Sequence, residues 1–170
     1  MKKIIFIGVL AHLLVGCVSH APSIPEGYEG PVAFVQDTEY RIDEGKADIF
    51  YLDAIDGRRI SNSRHRSRMA SLNQGNRLTT VLQENKVESG LRILTIVGRT
   101  EYAMPARSMV GTVYEVKGDV SIELKENAGY IIRGELAEDG SKVWIEDQSN
   151  GEVLEIIEVE GPSKLNFFQK

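Results

Sequence analysis

Six arginines crowd one polar stretch of this chain: Arg58 and Arg59, then Arg64, Arg66, Arg68 and Arg77. Serine and asparagine fill the gaps, at Ser61, Asn62, Ser63, Ser67, Ser71, Asn73 and Asn76. A guanidinium offers a planar fork of N–H donors that matches a carboxylate or a phosphate. The stretch is therefore a candidate for binding an anion or an acidic partner. Other chemistry is thinly provided. Of three histidines, His12, His20 and His65, only His65 falls in the part patterned to fold. A serine triad needs a histidine oriented by a carboxylate, and zinc recruits three or four histidine, cysteine or carboxylate ligands. Neither set can be assembled, so no catalytic residue and no metal ligand is assigned. Carboxylates are abundant, and glycoside hydrolysis would need two of them ~5–10 Å apart across a cleft. Asp53 and Asp56 border one turn and Glu146 and Asp147 end one strand. Asp56 reads as a turn residue and the others as solvent-facing strand ends. No glycine-rich nucleotide loop is present, and no cofactor is expected.

The one cysteine, Cys17, has a different context. Lys2 and Lys3 precede an apolar run from Ile4 to Leu10, the pattern of an export signal over residues 1–16. The run is too short for a membrane-spanning helix, which takes about 20 apolar residues. Leu14-Val15-Gly16-Cys17 resembles the lipobox of bacterial lipoproteins. That resemblance implies cleavage before Cys17 and a diacylglycerol thioether on its sulfur, with a further acyl chain on its amine. One chain holds a protein only marginally, whereas two or three make a lasting attachment. Val18 stands where an acidic residue would favour inner-membrane retention, so the resemblance implies the outer membrane, facing the periplasm. With Cys17 acylated, the fold has no thiol for a disulfide or for catalysis.

The chain has 170 residues and a formal charge of −5, and removing Lys2 and Lys3 takes this to −7. An acidic chain of this kind is not a general nucleic-acid binder. Its length suits one domain. Residues 17–30, with Pro22, Pro25 and Gly27, read as a lipidated N-terminus and flexible tether. Residues 31–160 carry the domain, and 161–170 form a C-terminal tail.

Within the domain the apolar period is mostly two. Val120, Ile122 and Leu124 alternate with Asp119, Ser121, Glu123 and Lys125. Segments 32–35, 47–54, 91–97 and 153–159 are apolar on both sides, as interior strands are, and 130–136 and 142–146 complete the set. Asp56-Gly57, Asp139-Gly140 and Asn150-Gly151 supply the positive φ of tight turns. The pattern predicts an all-β fold, a single antiparallel β-sandwich of seven to eight strands. Inside the arginine stretch it predicts a short helix, with Ser63 as N-cap, Met69 and Leu72 facing inward and Gly75 as the stop. Trp144 is assigned to the core. Phe167 and Phe168 are read as a staple for the chain end or a partner contact. Lys117, Lys125 and Glu158 guard strand edges.

Several runs together resemble a known layout: Lys46 to Tyr51 leading to Ile55-Asp56-Gly57-Arg58, Ser89-Gly90-Leu91, Val97 to Tyr102, Tyr130 to Leu136 and Val143 to Asp147. The layout is similar to that of uncharacterised proteobacterial envelope lipoproteins with a PEGA-like or transthyretin-like β-sandwich, an immunoglobulin-like architecture. The resemblance carries no catalytic residue; with the lipobox and the absence of a catalytic set, the sequence is read as a non-catalytic envelope lipoprotein that binds or scaffolds at the periplasmic face of the outer membrane. Its partners would be the membrane, through the anchor, and an envelope protein or an anionic envelope glycan or lipid. Two alternatives stand beside it: an accessory lipoprotein of a secretion or assembly machine, and a carboxylate-dependent enzyme on envelope polysaccharide.

Overall fold

The alternation of apolar and polar side chains becomes two faces of sheet in the structure, a computed structural model that describes residues 21–170. Cys17 lies outside the described residues. The strands are β1 (Val32–Gln36), β2 (Thr38–Asp43), β3 (Lys46–Ile55), β4 (Arg58–Arg59), β5 (Glu84–Glu88), β6 (Gly90–Tyr102), β7 (Glu115–Leu124), β8 (Gly129–Leu136), β9 (Gly140–Asp147) and β10 (Val153–Glu160). Two short helices interrupt them, α1 (Ser63–Ala70) and α2 (Pro105–Val110). One sheet has the order β10-β9-β8-β1-β5. The other has the order β2-β3-β6-β7, with β4 extending the β2 side of β3. The sheets pack face to face as an all-β sandwich.

The core lies between the sheets. In β7, Val116, Val120, Ile122 and Leu124 are buried while Lys117, Asp119, Ser121 and Glu123 face solvent. They meet Phe50 and Leu52 of β3, Leu94 and Ile96 of β6, and Ile132, Val143 and Ile145 of the opposite sheet. Each such side chain contributes about 1.5–3 kcal/mol by leaving water. Phe50 is closely enclosed. Its ring lies against Gly98, its cross-strand partner on β6, and against Gly134 of β8 in the other sheet. A Cβ on Gly134 would fall 2.4 Å from the ring and 2.6 Å from the Lys142 carbonyl. Both glycines are needed for their missing Cβ.

Five features differ from the sequence pattern. Segment 153–159, read as an interior strand, is the edge strand β10 and is largely exposed. β1 and β8 run parallel, with Phe34, Val35 and Gln36 opposite Gly129, Tyr130 and Ile131. A period of two fixes which face is buried and leaves neighbour direction open. The strands number ten, because β2, β4 and β5 are polar segments held at sheet edges by main-chain pairing. Trp144 points outward from β9 and donates from Nε1 to Glu146 at 3.1 Å, outside the core. The tail is docked: Glu115 N–H donates to the Ser163 carbonyl at 3.0 Å, and Leu165 N–H to that of Val113 at 2.8 Å. Phe167 and Phe168 stack edge-on against each other and remain exposed.

The two faces of β3 explain the site. Its inner face, Phe50 and Leu52, joins the sandwich core. Its outer face, Ile49 and Tyr51, forms a second buried cluster with Val97 of β6. That outer cluster is the floor on which α1 and the tail are built.

Candidate functional site

The arginine stretch folds as α1 and the segment after it. Asn62, not Ser63, caps the helix, accepting the His65 N–H on Oδ1 at 2.9 Å. The buried side of α1 is its serines. Ser63 Oγ accepts the Gln83 N–H at 2.9 Å, Ser67 Oγ the Val81 N–H at 2.8 Å, and Ser71 Oγ the Thr79 N–H at 2.9 Å. The match is geometric. Four helical residues advance ~6.0 Å and two extended residues ~6.6 Å, so serines at every fourth position meet alternate amides of residues 79–83. Hydrogen bonding therefore seats the helix where apolar packing was expected, and Met69 and Leu72 are 56% and 54% exposed. Asn73 and Gly75 take positive φ after the helix.

Asp37 anchors this assembly. It sits between β1 and β2, where the chain passes from one sheet to the other, and it is fully buried. Its carboxyl group accepts from the Ser63 hydroxyl, from Leu52 N–H at 3.0 Å and from Asn85 Nδ2 at 3.2 Å. Burial pushes its pKa up to about 7, while these donors pull in the other direction.

Turned this way, α1 presents Arg64, His65, Arg68, Met69 and Leu72 to a cleft of about 540 Å³ on the outer face of β3, β6 and β7. The segment from Tyr102 to Val113 and the side chain of Lys170 form the opposing side. Tyr51 and Val97 lie on the floor, and burial raises the pKa of the Tyr51 hydroxyl, against the nearby Arg64 charge. Six cationic side chains line the cleft (Arg59, Arg64, Arg68, Arg99, Lys117 and Lys170) against three carboxylates (Asp53, Glu101 and Glu115).

The carboxylates are all engaged. Glu101 Oε1 receives Nε donors from both Arg64 and Arg99, the latter at 3.2 Å, and Arg99 also donates to Glu115. Asp53 accepts from Lys117 Nζ at 2.6 Å and from Asn62 Nδ2 at 2.9 Å. Burial works against the charge on Arg64, but Glu101, Tyr51 and Glu115 together outweigh it and raise the Arg64 pKa. Lys170 Nζ donates to the carbonyls of Met109 and Gly111. Among the described residues, the guanidinium groups of Arg59 and Arg68 carry no hydrogen bond or ion pair.

The six arginines thus divide. Arg59 and Arg68 face the cleft with unoccupied donors, and Arg64 braces its wall. Arg58 turns to the N-terminal segment, donating to the carbonyls of Pro22 and Ser23. Arg66 reaches Ser61 Oγ at 3.4 Å, and Arg77 sits apart beside Arg41, Asp43 and Glu44. The sequence pattern gives no site role to Arg99, Glu101 and Glu115, and reads Lys117 only as a strand-edge guard. Their signal was a charge at every second position, 99 and 101 on β6 and 115 and 117 on β7. Asp53 and Asp56 separate, since Asp56 accepts the Ile93 N–H at the turn. Glu146 lies on the other sheet, where burial opposes its charge but hydrogen bonds from Arg133 and Trp144 hold its pKa low. Asp147 is held low by Ser149.

No protein-family model, no curated protein and no solved structure matches this chain. Among the described residues, no helix is long and apolar enough to cross a membrane.

Proposed function

We propose that this chain is a non-catalytic, lipid-anchored envelope module that works by binding, with the cleft between α1 and the chain's tail receiving an anionic group of an envelope protein, glycan or lipid. The supporting observation is the pair Arg59 and Arg68. In a chain of formal charge −5 they line one concave surface with their forks unengaged. An unpaired guanidinium at a cleft is a ready partner for carboxylate or phosphate. Binding is favoured over carboxylate catalysis because Asp53, Glu101 and Glu115 are each already committed to a cation. Anchorage rests on the Leu14-Val15-Gly16-Cys17 motif and its lipobox resemblance, and placement at the outer membrane on Val18.

The test compares the natural chain with Arg59→Glu/Arg68→Glu and with Arg77→Glu, each crosslinked in intact envelopes. The expected result is loss of the main crosslinked species in the double variant and its retention in Arg77→Glu. An identical set of species in all three overturns the cleft as the binding surface.

A further inference from the structure

Ala21, the first described residue, is already held. Its N–H donates to the Arg59 carbonyl at 3.3 Å, and its carbonyl accepts the Ser61 N–H at 3.0 Å. It bridges Ile60 in parallel, so the chain enters from the side of Arg59 and the β3–β4 turn. Arg58 then closes over Pro22 and Ser23, at 2.9 Å for the Ser23 carbonyl. Residues 21–23 are therefore part of the sandwich, and the free length of the tether is short. From Cys17 to Ala21 is four residues, which span at most ~14 Å.

At this end of the sandwich the apolar side chains of Leu91 and Ile93 are exposed, at 63% and 49%. Ile93 is locked to the β3–β4 turn, accepting the Asp56 N–H at 2.7 Å and donating to Asp56 Oδ1 at 2.9 Å. In the register of β6 with β7, Leu91 lies opposite Glu123 and Ile93 opposite Ser121, on the outer face. We infer that the bilayer holding the anchor covers Leu91 and Ile93, so that the β3–β4 turn end of the sandwich rests on the lipid surface. This rests on the acylation of Cys17 proposed above. The reach of the tether selects the occupant: a lipid attached at Cys17 brings the acyl zone within ~14 Å of Ala21. Asp56 and Glu123 beside the two apolar residues make the contact an interfacial one.

Met109 and Val110 of α2 are exposed at the opposite end, as is Phe168, two residues before the Lys170 that bonds the Met109 and Gly111 carbonyls. There Lys46 pairs with Tyr102, just before α2, while Ile55 is at the anchored end. Nine strand steps separate the two ends, or ~30 Å. That is beyond the tether's reach, so these side chains lie away from the anchoring bilayer.

The full chain is expressed in a host that acylates lipoproteins, with Trp144→Phe removing the native tryptophan. It is reconstituted into phosphatidylethanolamine–phosphatidylglycerol vesicles containing brominated lipid. With Leu91→Trp, or with Ile93→Trp as a second exposed position, the emission is expected to shift to the blue and to be quenched by the brominated chains. Phe168→Trp is expected to be unaffected. An acylated chain whose Leu91→Trp and Ile93→Trp fluorescence stays unquenched, or in which Phe168→Trp is quenched instead, overturns this orientation while leaving the anchor intact. A chain whose mass shows no lipid overturns the anchor, and the orientation with it.

Discussion

Arg64 of α1 and Glu101 of β6 are joined through guanidinium Nε and carboxylate Oε1, and that contact ties the helical wall of the cleft to its floor. Glu101 is the hub, since Arg99 uses the same oxygen and passes on to Glu115. Breaking a buried pair from one side leaves the other charge without compensation. Glu101→Gln strands Arg64 and leaves Arg99 with Glu115 alone, and is expected to cost about 3 kcal/mol or more. Arg64→Met leaves Glu101 with Arg99 and is expected to cost less. The double variant Arg64→Met/Glu101→Gln should be less destabilised than the sum of the two single variants. Urea unfolding of the four proteins reads these differences, and equal costs for the two single variants would contradict the hub.

Asp37 makes stability depend on pH. Its folded pKa, raised to about 7, exceeds the model-peptide value of 3.8. The folded state therefore binds more protons between these values. This contribution is fully present below about pH 4 and is lost as pH rises through about 7. Over that window the slope from one proton is up to about −1.4 kcal/mol per pH unit. Asp37→Asn should flatten the decline between about pH 4 and pH 7 in thermal or urea unfolding. A decline as steep in the variant as in the parent would assign it elsewhere.

Ser67→Ala should leave the Val81 N–H without its acceptor and cost about 1 kcal/mol. The readout is local. Hydrogen exchange at Val81 should accelerate, while amides of Leu94 and Ile96 in the core keep their protection.

Gly134→Ala should destabilise the sandwich by about 1–3 kcal/mol, because the new methyl meets the Phe50 ring and the Lys142 carbonyl. Phe50→Leu in the same chain relieves the first clash and not the second. Partial recovery of the unfolding midpoint is therefore expected, and an undisturbed Gly134→Ala protein would count against the packing.

Much of the fold was legible. Val120, Ile122 and Leu124 alternate with polar residues and are buried as read, and segment 47–54 is apolar on both sides because both sides are covered. Asp56-Gly57 turns between β3 and β4 with positive φ at both residues. β2 and β5 escaped because edge strands are held by main-chain bonds, which leave little trace in side-chain pattern. The serines of α1 escaped for a related reason. An inward face is expected to be apolar, and here its partners are the amides of residues 79–83.

The order of residues along this chain determined the two-sided character of its strands, the places where it turns, its acidic balance and the motif at Cys17, since each depends only on neighbours in sequence. Tertiary structure alone decided which arginines stand free. Arg58, Arg59, Arg64 and Arg68 are chemically identical and close in sequence. Their roles parted when β4 paired with β3 and the serine face of α1 met residues 79–83. That docking turned Arg64 toward Glu101, a residue 37 positions away, and left Arg59 and Arg68 over the cleft. Charge pairing depends on distances across the fold, and no local pattern encodes them.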